Sequence, residues 1–260
     1  MTVEQRNFEF YDAHYRAAHP LLFWLHGRLS YDQLSKTRPN LALLRSSLHL
    51  LRTPTNERPL RVLDYGSGFG TLLLGLPRRG FELYAYDLSP RAVTQLTAAA
   101  RLFGREVRAL DLQAQGPRLD LIVCSHVLEH VPSDAALIAR FVERLEPSGL
   151  LLVNVPVHEL WDDPKHTRRY TEPAVFGLLE RHGLVVLKTR LSDRWSAWLC
   201  RHEQQEQASP ARRVALRAVR LLLGQAPNAI LEAAEQRLLT HLPMQQLLVL
   251  AQKPSSPPPP

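Results

Sequence analysis

From residue 60 onward, short apolar segments alternate with stretches that have helical periodicity. Segments rich in Leu, Val and Tyr are typical of buried strands, and the stretches between them fit helices that cover a sheet. We expect strands at Arg61–Tyr65, Phe81–Tyr86, Glu106–Leu110, Leu119–Cys124, Gly149–Val155, Leu184–Leu191 and Gln245–Ala251. This alternation predicts an α/β fold with a mostly parallel sheet and helices on both faces.

Changes in composition divide the chain into parts. These are a helical N-terminal cap (1–58), the α/β domain (59–253), a helical insertion within that domain (192–243) and a disordered proline-rich tail (254–260). In the cap, leucines at helical spacing from Leu41 to Leu51 predict a helix that ends before Pro54. In the domain, Ser89 and Ser133 are expected to be N-caps of two helices.

The chain is basic, with a formal net charge of +7. Its basic residues are scattered, so we do not expect a nucleic-acid partner. A helix within 210–223 is predicted to place Arg213, Arg217 and Arg220 on one face, which fits either a solvated surface or peripheral contact with a membrane. The two cysteines are far apart, and the N-terminus lacks the pattern of a secretory signal. These features favour a cytoplasmic protein.

The segment V-L-D-Y-G-S-G-F-G is the most informative motif. Its glycines permit a tight turn between a strand and a helix, and free amides at the start of that helix suit a ligand carboxylate. The acid before the turn can accept hydrogen bonds from a ligand ammonium. Dinucleotide-binding enzymes use a similar turn, but their G-x-G-x-x-G spacing is absent. The residues expected to contact the ligand are Asp64, Gly66, Ser67, Gly68 and Gly70.

Acidic residues also follow the next two strands. Asp87, beside Leu88, ends the second strand and is placed to accept both ribose hydroxyl protons of a nucleoside ligand. Asp111 and Leu112 follow the third strand. There the acid can accept from an adenine amino group, and the leucine can cover the ring.

Ser125 and His126 follow the fourth strand and are expected to lie over the glycine turn. With L-E-H-V at Leu128–Val131 and the P-S-G turn at Pro147–Gly149, these motifs resemble class I S-adenosylmethionine (SAM)-dependent methyltransferases. The resemblance is greatest to the bacterial group that includes ubiquinone-type O-methyltransferases, and it covers about residues 60–192 and the last strand. It implies SAM as cofactor and a Rossmann-like seven-stranded sheet whose last strand is antiparallel.

The loop after the fifth strand is aromatic and rich in ionisable groups. Such loops carry substrate residues in α/β proteins, and histidine suits proton abstraction near neutral pH. We expect His158 and His166 to be the candidates for a general base. The residues expected to bind the acceptor are His130, Trp161, Arg168 and Tyr170. The alternative is that His166 and Tyr170 only hold the loop to the domain.

His126, Glu129 and His130 would share one face if their turn were helical. Relatives with an E-x-x-E-H version of this motif bind a divalent metal there, but here histidine replaces the first acid. We therefore predict no metal. Without a metal, we expect His130 to pack beneath the cofactor and His126 to contact its methionine portion.

The leading functional prediction is O-methylation of a small molecule, such as a quinone, a glycan or a specialised metabolite. The transfer would be in line and would use a histidine base. The basic charge keeps methylation of RNA or protein as an alternative. Two further alternatives are a non-catalytic SAM-binding scaffold and, at the level of fold, a NAD-dependent dehydrogenase.

Overall fold

The computed structural model describes residues 3–17, 19–51, 58–160, 162–203 and 210–255. Its strands form one seven-stranded sheet in the order β3-β2-β1-β4-β5-β7-β6. They are β1 (Leu60–Tyr65), β2 (Phe81–Tyr86), β3 (Val107–Ala109), β4 (Leu119–Ser125), β5 (Leu145–Pro156), β6 (Val185–Ser192) and β7 (Gln246–Gln252). Neighbouring strands pair in parallel except at β7, which is antiparallel to both β5 and β6. The predicted Rossmann-like sheet is therefore confirmed.

Helices cover both faces of the sheet and precede it in the chain. They are α1 (Val3–His14), α2 (Pro20–Leu29), α3 (Tyr31–Arg45), α4 (Thr71–Gly75), α5 (Pro90–Leu102), α6 (Asp134–Arg144), α7 (Glu172–Arg181), α8 (Arg194–Glu203), α9 (Pro210–Gln225) and α10 (Asn228–Leu238), with a short 3₁₀ helix at Leu48–Leu51. The predicted N-caps are present, because Ser89 accepts from the amide of Ala92 and Ser133 from that of Ala136. Among the described helices, none has the length and apolar character needed to cross a bilayer.

Strand β5 differs most from its sequence prediction, because it begins at Leu145 rather than at Gly149. Leu145 pairs with Leu119 at the start of β4, and the register then shifts before Leu121. A bulge of this kind keeps the ladder paired on both sides of an irregular segment. The P-S-G turn that was predicted at Pro147–Gly149 thus lies within the irregular first part of β5.

The cap is helical as predicted, but its boundaries differ. The helix α3 contains Pro39 and ends at Arg45, and the chain then continues as the 3₁₀ helix. The single predicted helix from Leu41 to Leu51 is therefore broken. Pro54, its expected stop, lies outside the described residues, as does most of the predicted disordered tail.

The insertion packs on the cap. The prediction included helices near α9 and α10 but missed α8. Tyr31 of α3 shares a buried apolar cluster with leucines of all three helices, and its hydroxyl donates to Asp193, 2.8 Å away. Asp193 also accepts from Gln246 of β7 at 2.7 Å. The cap, the insertion and the edge of the sheet are therefore held together by buried contacts.

Gly70 fixes the junction between the glycine turn and α4. Its φ is +68°, a left-handed conformation that other residues adopt at a cost. A Cβ atom on Gly70 would lie 2.0 Å from a methyl carbon of Leu96, which is fully buried on α5. Both the backbone and the close approach of α5 therefore require glycine.

We expect Gly70→Ala to lower the free energy of unfolding by about 2–4 kcal/mol, because strain and overpacking add. Gly80→Ala is the matched control, since Gly80 has φ +85° but nothing within 4 Å of an added Cβ. The control should lose only about 1 kcal/mol from backbone strain. Urea unfolding measures both losses, and equal losses would contradict the packing argument.

Candidate functional site

The carboxyl ends of β1, β2 and β4 open into a cleft of about 440 Å³. Helices α1 and α3 of the cap lie over it. Volumes of roughly 300–1,000 Å³ are typical of small-molecule sites, and the carboxyl edge of a parallel sheet is where α/β proteins bind ligands. The cleft is therefore the candidate functional site.

The glycine turn forms the floor of the cleft. The amides of Gly66 and Ser67 donate to the carbonyl of Tyr86, at 2.8 and 2.9 Å. The amide of Gly68 donates to a carboxylate oxygen of Asp87 at 2.8 Å. A Cβ atom on Gly68 would lie 3.1 Å from the hydroxyl of Tyr15, so a side chain there would crowd the space between turn and cap. Gly66, Ser67 and Gly68 line the cleft as predicted, whereas Gly70 does not.

Two carboxylates line this cleft at the strand ends, and Asp64 is buried whereas Asp87 is partly buried. Burial, and then the charge of Asp87, raise the pKa of Asp64 to about 7. Burial also raises the pKa of Asp87 to about 6, although the amides of Ser89 and Gly68 oppose that shift. Asp64 accepts no hydrogen bond from the residues that the structure describes. An acid held out of water without a partner fits a cationic ligand group such as the ammonium of SAM.

The predicted adenine end of the site differs in detail. Leu88 lines the cleft, but Asp111 and Leu112 do not. The side chain of Asp111 accepts from the amide of Gln113 at 2.8 Å and closes its own turn. Its neighbour Gln113 lines the cleft instead, so the adenine role of Asp111 stays a prediction.

Aromatic side chains also line this end and were not predicted. Tyr65 and Tyr86 end adjacent strands, and their rings stack with centroids 4.5 Å apart. Both rings border the cleft. Aromatic faces of this kind suit stacking with a planar ligand group. The signal was present in the sequence, because each tyrosine stands at the end of a strand beside an acid.

The cap supplies the roof, which the sequence prediction missed. Its lining residues are Asn7, Tyr11, Tyr15, Gln33, Lys36, Thr37 and Asn40. The polar residues of α3 recur at helical spacing, which was the available signal. Asn40 donates to the hydroxyl of Ser125 at 3.0 Å and accepts from Asn154 at 3.2 Å, so α3 is tied to the ends of β4 and β5.

The segment after β4 enters the cleft as a hydrogen-bonded turn rather than a helix. His126 has φ +55°, and its amide donates to the carbonyl of Asn154 at 2.7 Å. Its Nδ1 lies 3.3 Å from Oε1 of Glu129, which is fully buried. Ser125, His126 and His130 all line the cleft, as the sequence predicts for ligand-binding residues.

The predicted acceptor loop lies mostly outside the cleft. His158 is exposed, and its Nδ1 lies 3.0 Å from the carbonyl of Met244. Nδ1 of His166 lies 3.0 Å from Oε1 of Glu159. Neither histidine lines the cleft, so the geometry does not favour them as bases. Trp161 lies outside the described residues.

Arg168 and Tyr170 hold the turn after β4 in place instead of facing the cleft. Arg168 donates to the carbonyls of Leu128 and Val131, at 2.6 and 2.7 Å. The hydroxyl of Tyr170 donates to Asp134 at 2.7 Å. Their donors are used within the protein, so the geometry does not favour the predicted contact with the acceptor, which stays a prediction.

Glu129, His130 and His166 each have a potential ligand atom within 4.8 Å of the others. His130, however, is engaged at both ring nitrogens. Its Nε2 lies 3.2 Å from the hydroxyl of Tyr11, and its Nδ1 lies 3.2 Å from the carbonyl of Lys165. A metal would have to displace one of these contacts, because a ligating histidine needs a free lone pair. That the protein works without a metal stays a prediction.

A family model described as a methyltransferase domain matches residues 36–217, which is more than half of the chain. The chain belongs to the methyltransferase family. The match begins within α3 and ends within α9, so it includes parts of the cap and of the insertion that the sequence motifs left unexplained. The predicted resemblance to class I SAM-dependent methyltransferases is confirmed.

Curated relatives of this methyltransferase-family protein match part of it. The ubiquinone biosynthesis O-methyltransferase of Xylella fastidiosa (strain 9a5c) is 39% identical over 104 residues, which cover 36% of this chain and 41% of the relative. The protein of the same name from Xanthomonas euvesicatoria pv. vesicatoria (strain 85-10) is 31% identical over 130 residues, which cover 48% and 54%. The chain thus spans about half or less of the length of these relatives.

Solved structures share the fold at low sequence identity. Magnesium protoporphyrin IX methyltransferase (ChlM) from Synechocystis PCC 6803, solved with bound SAM, has a TM-score of 0.56 and 14% identity, and 97% of this chain and 98% of that chain are covered. A sarcosine dimethylglycine methyltransferase structure from Galdieria sulphuraria has a TM-score of 0.55 and 17% identity, with 83% and 84% covered. The [4+2]-cyclase SpnF has a TM-score of 0.54 and 19% identity, with 82% of each chain covered.

The raised pKa of Asp64 makes SAM affinity depend on pH. When the pH is below this pKa of about 7, the carboxyl of Asp64 is mostly protonated and cannot form an ion pair with an ammonium. We expect the Kd measured by calorimetry to rise about tenfold between about pH 8 and about pH 6. Asp64→Asn should bind more weakly at the higher pH and show a flatter dependence. Glu143→Gln, an exposed change on α6, should keep the normal dependence, and a wild-type Kd that is flat over this range would contradict the assignment.

Proposed function

We propose that the protein transfers the methyl group of SAM to a hydroxyl oxygen of a small molecule, with a histidine as general base. The unpaired, buried carboxylate of Asp64 is the observation that carries this proposal. It lies beside a glycine turn, in a cleft that belongs to a methyltransferase family member. A ligand without a cationic group would not require the buried Asp64 in addition to Asp87.

The residues of the cleft fit SAM from its methionine end to its ribose. Asp64 would accept from the ammonium, and the backbone of Gly66–Gly68 would border the carboxylate end. Asp87, already held by the amides of Gly68 and Ser89, would accept from the ribose hydroxyls. Bound SAM supplies a methyl group that its sulfonium has already activated. The protein must therefore align the acceptor and exclude water.

The roof of the cleft supports a small acceptor. Helices α1 and α3 cover the site, and the polar side chains of α3 face the turn after β4. An intact RNA helix or a folded protein would require this roof to move, and it is tied down through Asn40. The similarity to ubiquinone biosynthesis O-methyltransferases also supports an oxygen acceptor on a small molecule. A quinone, a glycan and a specialised metabolite are the acceptor classes that we propose.

Two alternative functions are each supported by a specific observation. Methylation of RNA or protein is the enzymatic alternative, since the chain is basic. A protein without methyl transfer is also compatible with the fold, since the [4+2]-cyclase SpnF shares it. The candidate bases His158 and His166 do not line the cleft. Proposing either as base would require the loop to move.

We also propose peripheral contact of residues 210–223 with an anionic membrane. In α9, Val214, Leu221 and Leu222 are each more than half exposed. Exposed Arg213 and Arg217 form no hydrogen bond or ion pair with the described residues. Arg220 differs from the prediction, because it is paired with Asp32 and Glu203. An apolar stripe flanked by unpaired cations supports binding to anionic lipid.

The acceptor class is tested by transfer of a labelled methyl group from SAM to fractionated small molecules, lipids, RNA and protein. We expect label in a small-molecule fraction, as an alkali-stable ether. Asp87→Asn should reduce the label at least tenfold, because the ribose loses a charge-assisted hydrogen bond of about 1.5–3 kcal/mol. Label confined to RNA or protein would refute the small-molecule acceptor, and none in any fraction would favour the scaffold.

Flotation with lipid vesicles tests the membrane contact. We expect binding to phosphatidylcholine vesicles that contain phosphatidylglycerol and no binding to pure phosphatidylcholine. The double change Leu221→Ser and Leu222→Ser should weaken binding several-fold, since it removes the exposed apolar contact. Leu102→Ser, which alters an exposed leucine at the end of α5, is the matched control. Equal binding to both kinds of vesicle would contradict the role of the arginines.

A further inference from the structure

His126 combines a constrained backbone with a ring nitrogen that has no partner. Its φ of +55° is uncommon for a residue with a side chain, and it is maintained by the hydrogen bond from its amide to Asn154. Its Nε2 is buried and contacts no hydrogen-bonding group among the described residues. The same side chain lines the cleft. A buried nitrogen without a partner, on a side chain that lines a ligand cleft at the end of a strand, is a candidate to bind a ligand.

Glu129 determines which nitrogen of His126 carries the proton. Its carboxylate is fully buried, and Oε1 lies 3.3 Å from Nδ1 of His126. Burial alone would raise the pKa of Glu129, but the contact with His126 lowers it below its usual range. The carboxylate is thus ionised, and it favours the tautomer in which Nδ1 is protonated and Nε2 has a free lone pair. A carboxylate that orients a histidine base is a recurring catalytic arrangement.

Lys36 of α3 adds a donor to the same cleft. It lines the cleft and forms no hydrogen bond or ion pair with the residues in the described part of the chain. Its charge acts on both His126 and His130. Burial lowers the pKa of Lys36, and the charge of Glu129 opposes that shift. A lysine amine left without a partner beside a histidine can stabilise an oxygen on which negative charge develops.

We propose that His126, oriented by Glu129, is the general base of the reaction and that the amine of Lys36 stabilises the developing oxyanion of the acceptor. This rests on the proposed methyl transfer to a hydroxyl. The hydroxyl proton moves to Nε2 of His126 as the acceptor oxygen forms a bond to the methyl carbon. The carbon–sulfur bond breaks, and its electron pair stays on sulfur, so S-adenosylhomocysteine leaves as a neutral thioether. His126 then releases the proton to solvent.

This assignment differs from the sequence prediction, in which His126 only contacts the cofactor and the loop supplies the base. Burial and the charge of Lys36 lower the pKa of His126, which keeps the ring neutral and able to accept a proton at neutral pH. The charged and titratable groups that act on it are Lys36 from α3 and Glu129 and His130 from its own turn. Turnover at neutral pH should therefore not require His126 to lose a proton first.

Nuclear magnetic resonance tests the orientation of His126 without any acceptor. In ¹⁵N-labelled protein with SAM bound, we expect the His126 ring to be neutral at about pH 7 and protonated on Nδ1, with His126→Asn used to assign the signal. In Glu129→Gln the ring should shift toward a mixture of tautomers. An Nε2-protonated or doubly protonated ring in the wild type would overturn the proposal. Protein that does not bind SAM would instead refute the proposed function.

Kinetics with catechol as the probe acceptor test the base. We expect His126→Gln and Lys36→Met to lower kcat at about pH 7 by about 100-fold or more and to change the Kd for SAM by less than about twofold. His49→Gln, exposed on the 3₁₀ helix, is the control. Near pH 9.5 the deficit of His126→Gln should shrink about tenfold, because a phenolic hydroxyl with a pKa of about 10 ionises without help.

Three outcomes would overturn the assignment of His126. One is a deficit that does not depend on pH, as a structural role predicts. The second is a matching loss of SAM binding, as a cofactor contact predicts. The third is activity that chelation removes and a divalent ion restores, because a metal would then perform the role proposed for His126 and Glu129. If catechol is not an acceptor, the tautomer of His126 measured by nuclear magnetic resonance decides whether the proposal stands.

Discussion

The site depends on two carboxylates at the ends of adjacent strands, of which Asp64 is buried and Asp87 is partly buried. Asp64 lies opposite Ala85 in the parallel register of β1 and β2, so Asp87 follows two residues beyond the partner of Asp64. The shift of the pKa of Asp64 from 3.8 to about 7 corresponds to about 4 kcal/mol of unfavourable free energy for the ionised carboxyl at this buried position. A cationic ligand can recover part of that free energy. The arrangement thus favours the binding of a cation beside Asp64.

The roof of the cleft follows from a second set of buried contacts. Asn40 binds groups at the ends of β4 and β5, and Tyr31 ties the start of α3 to Asp193 beyond β6. These hydrogen bonds lie far apart in sequence, yet they act on one helix. Because α3 is fixed at both ends, Lys36 between them faces the cleft. The cap is therefore part of the site and not only a cover for the sheet.

The sequence predicted the features that local pattern determines. Short apolar strands, serine N-caps and the glycine turn depend on residues within a few positions of one another, and all are present in the structure. The roles of Lys36 and Arg168 could not be predicted in this way. Lys36 faces the cleft only because of the contacts that hold α3, and Arg168 binds carbonyls about 40 residues before it in the chain. Charge and position in a loop do not distinguish a donor used for packing from a donor left free for a ligand.

The turn after β4 shows how one scaffold can support different chemistry. Its backbone is fixed by the amide of His126 on one side and by the donors of Arg168 on the other. The side chains can therefore change without moving the turn. A histidine at position 126 places an imidazole against the buried carboxylate of Glu129, where an acid would instead bring a second negative charge. Two adjacent carboxylates favour a cation, whereas a carboxylate with an imidazole favours proton transfer. The chemistry of this member of the family is thus determined by a side chain that the fold itself leaves free to vary.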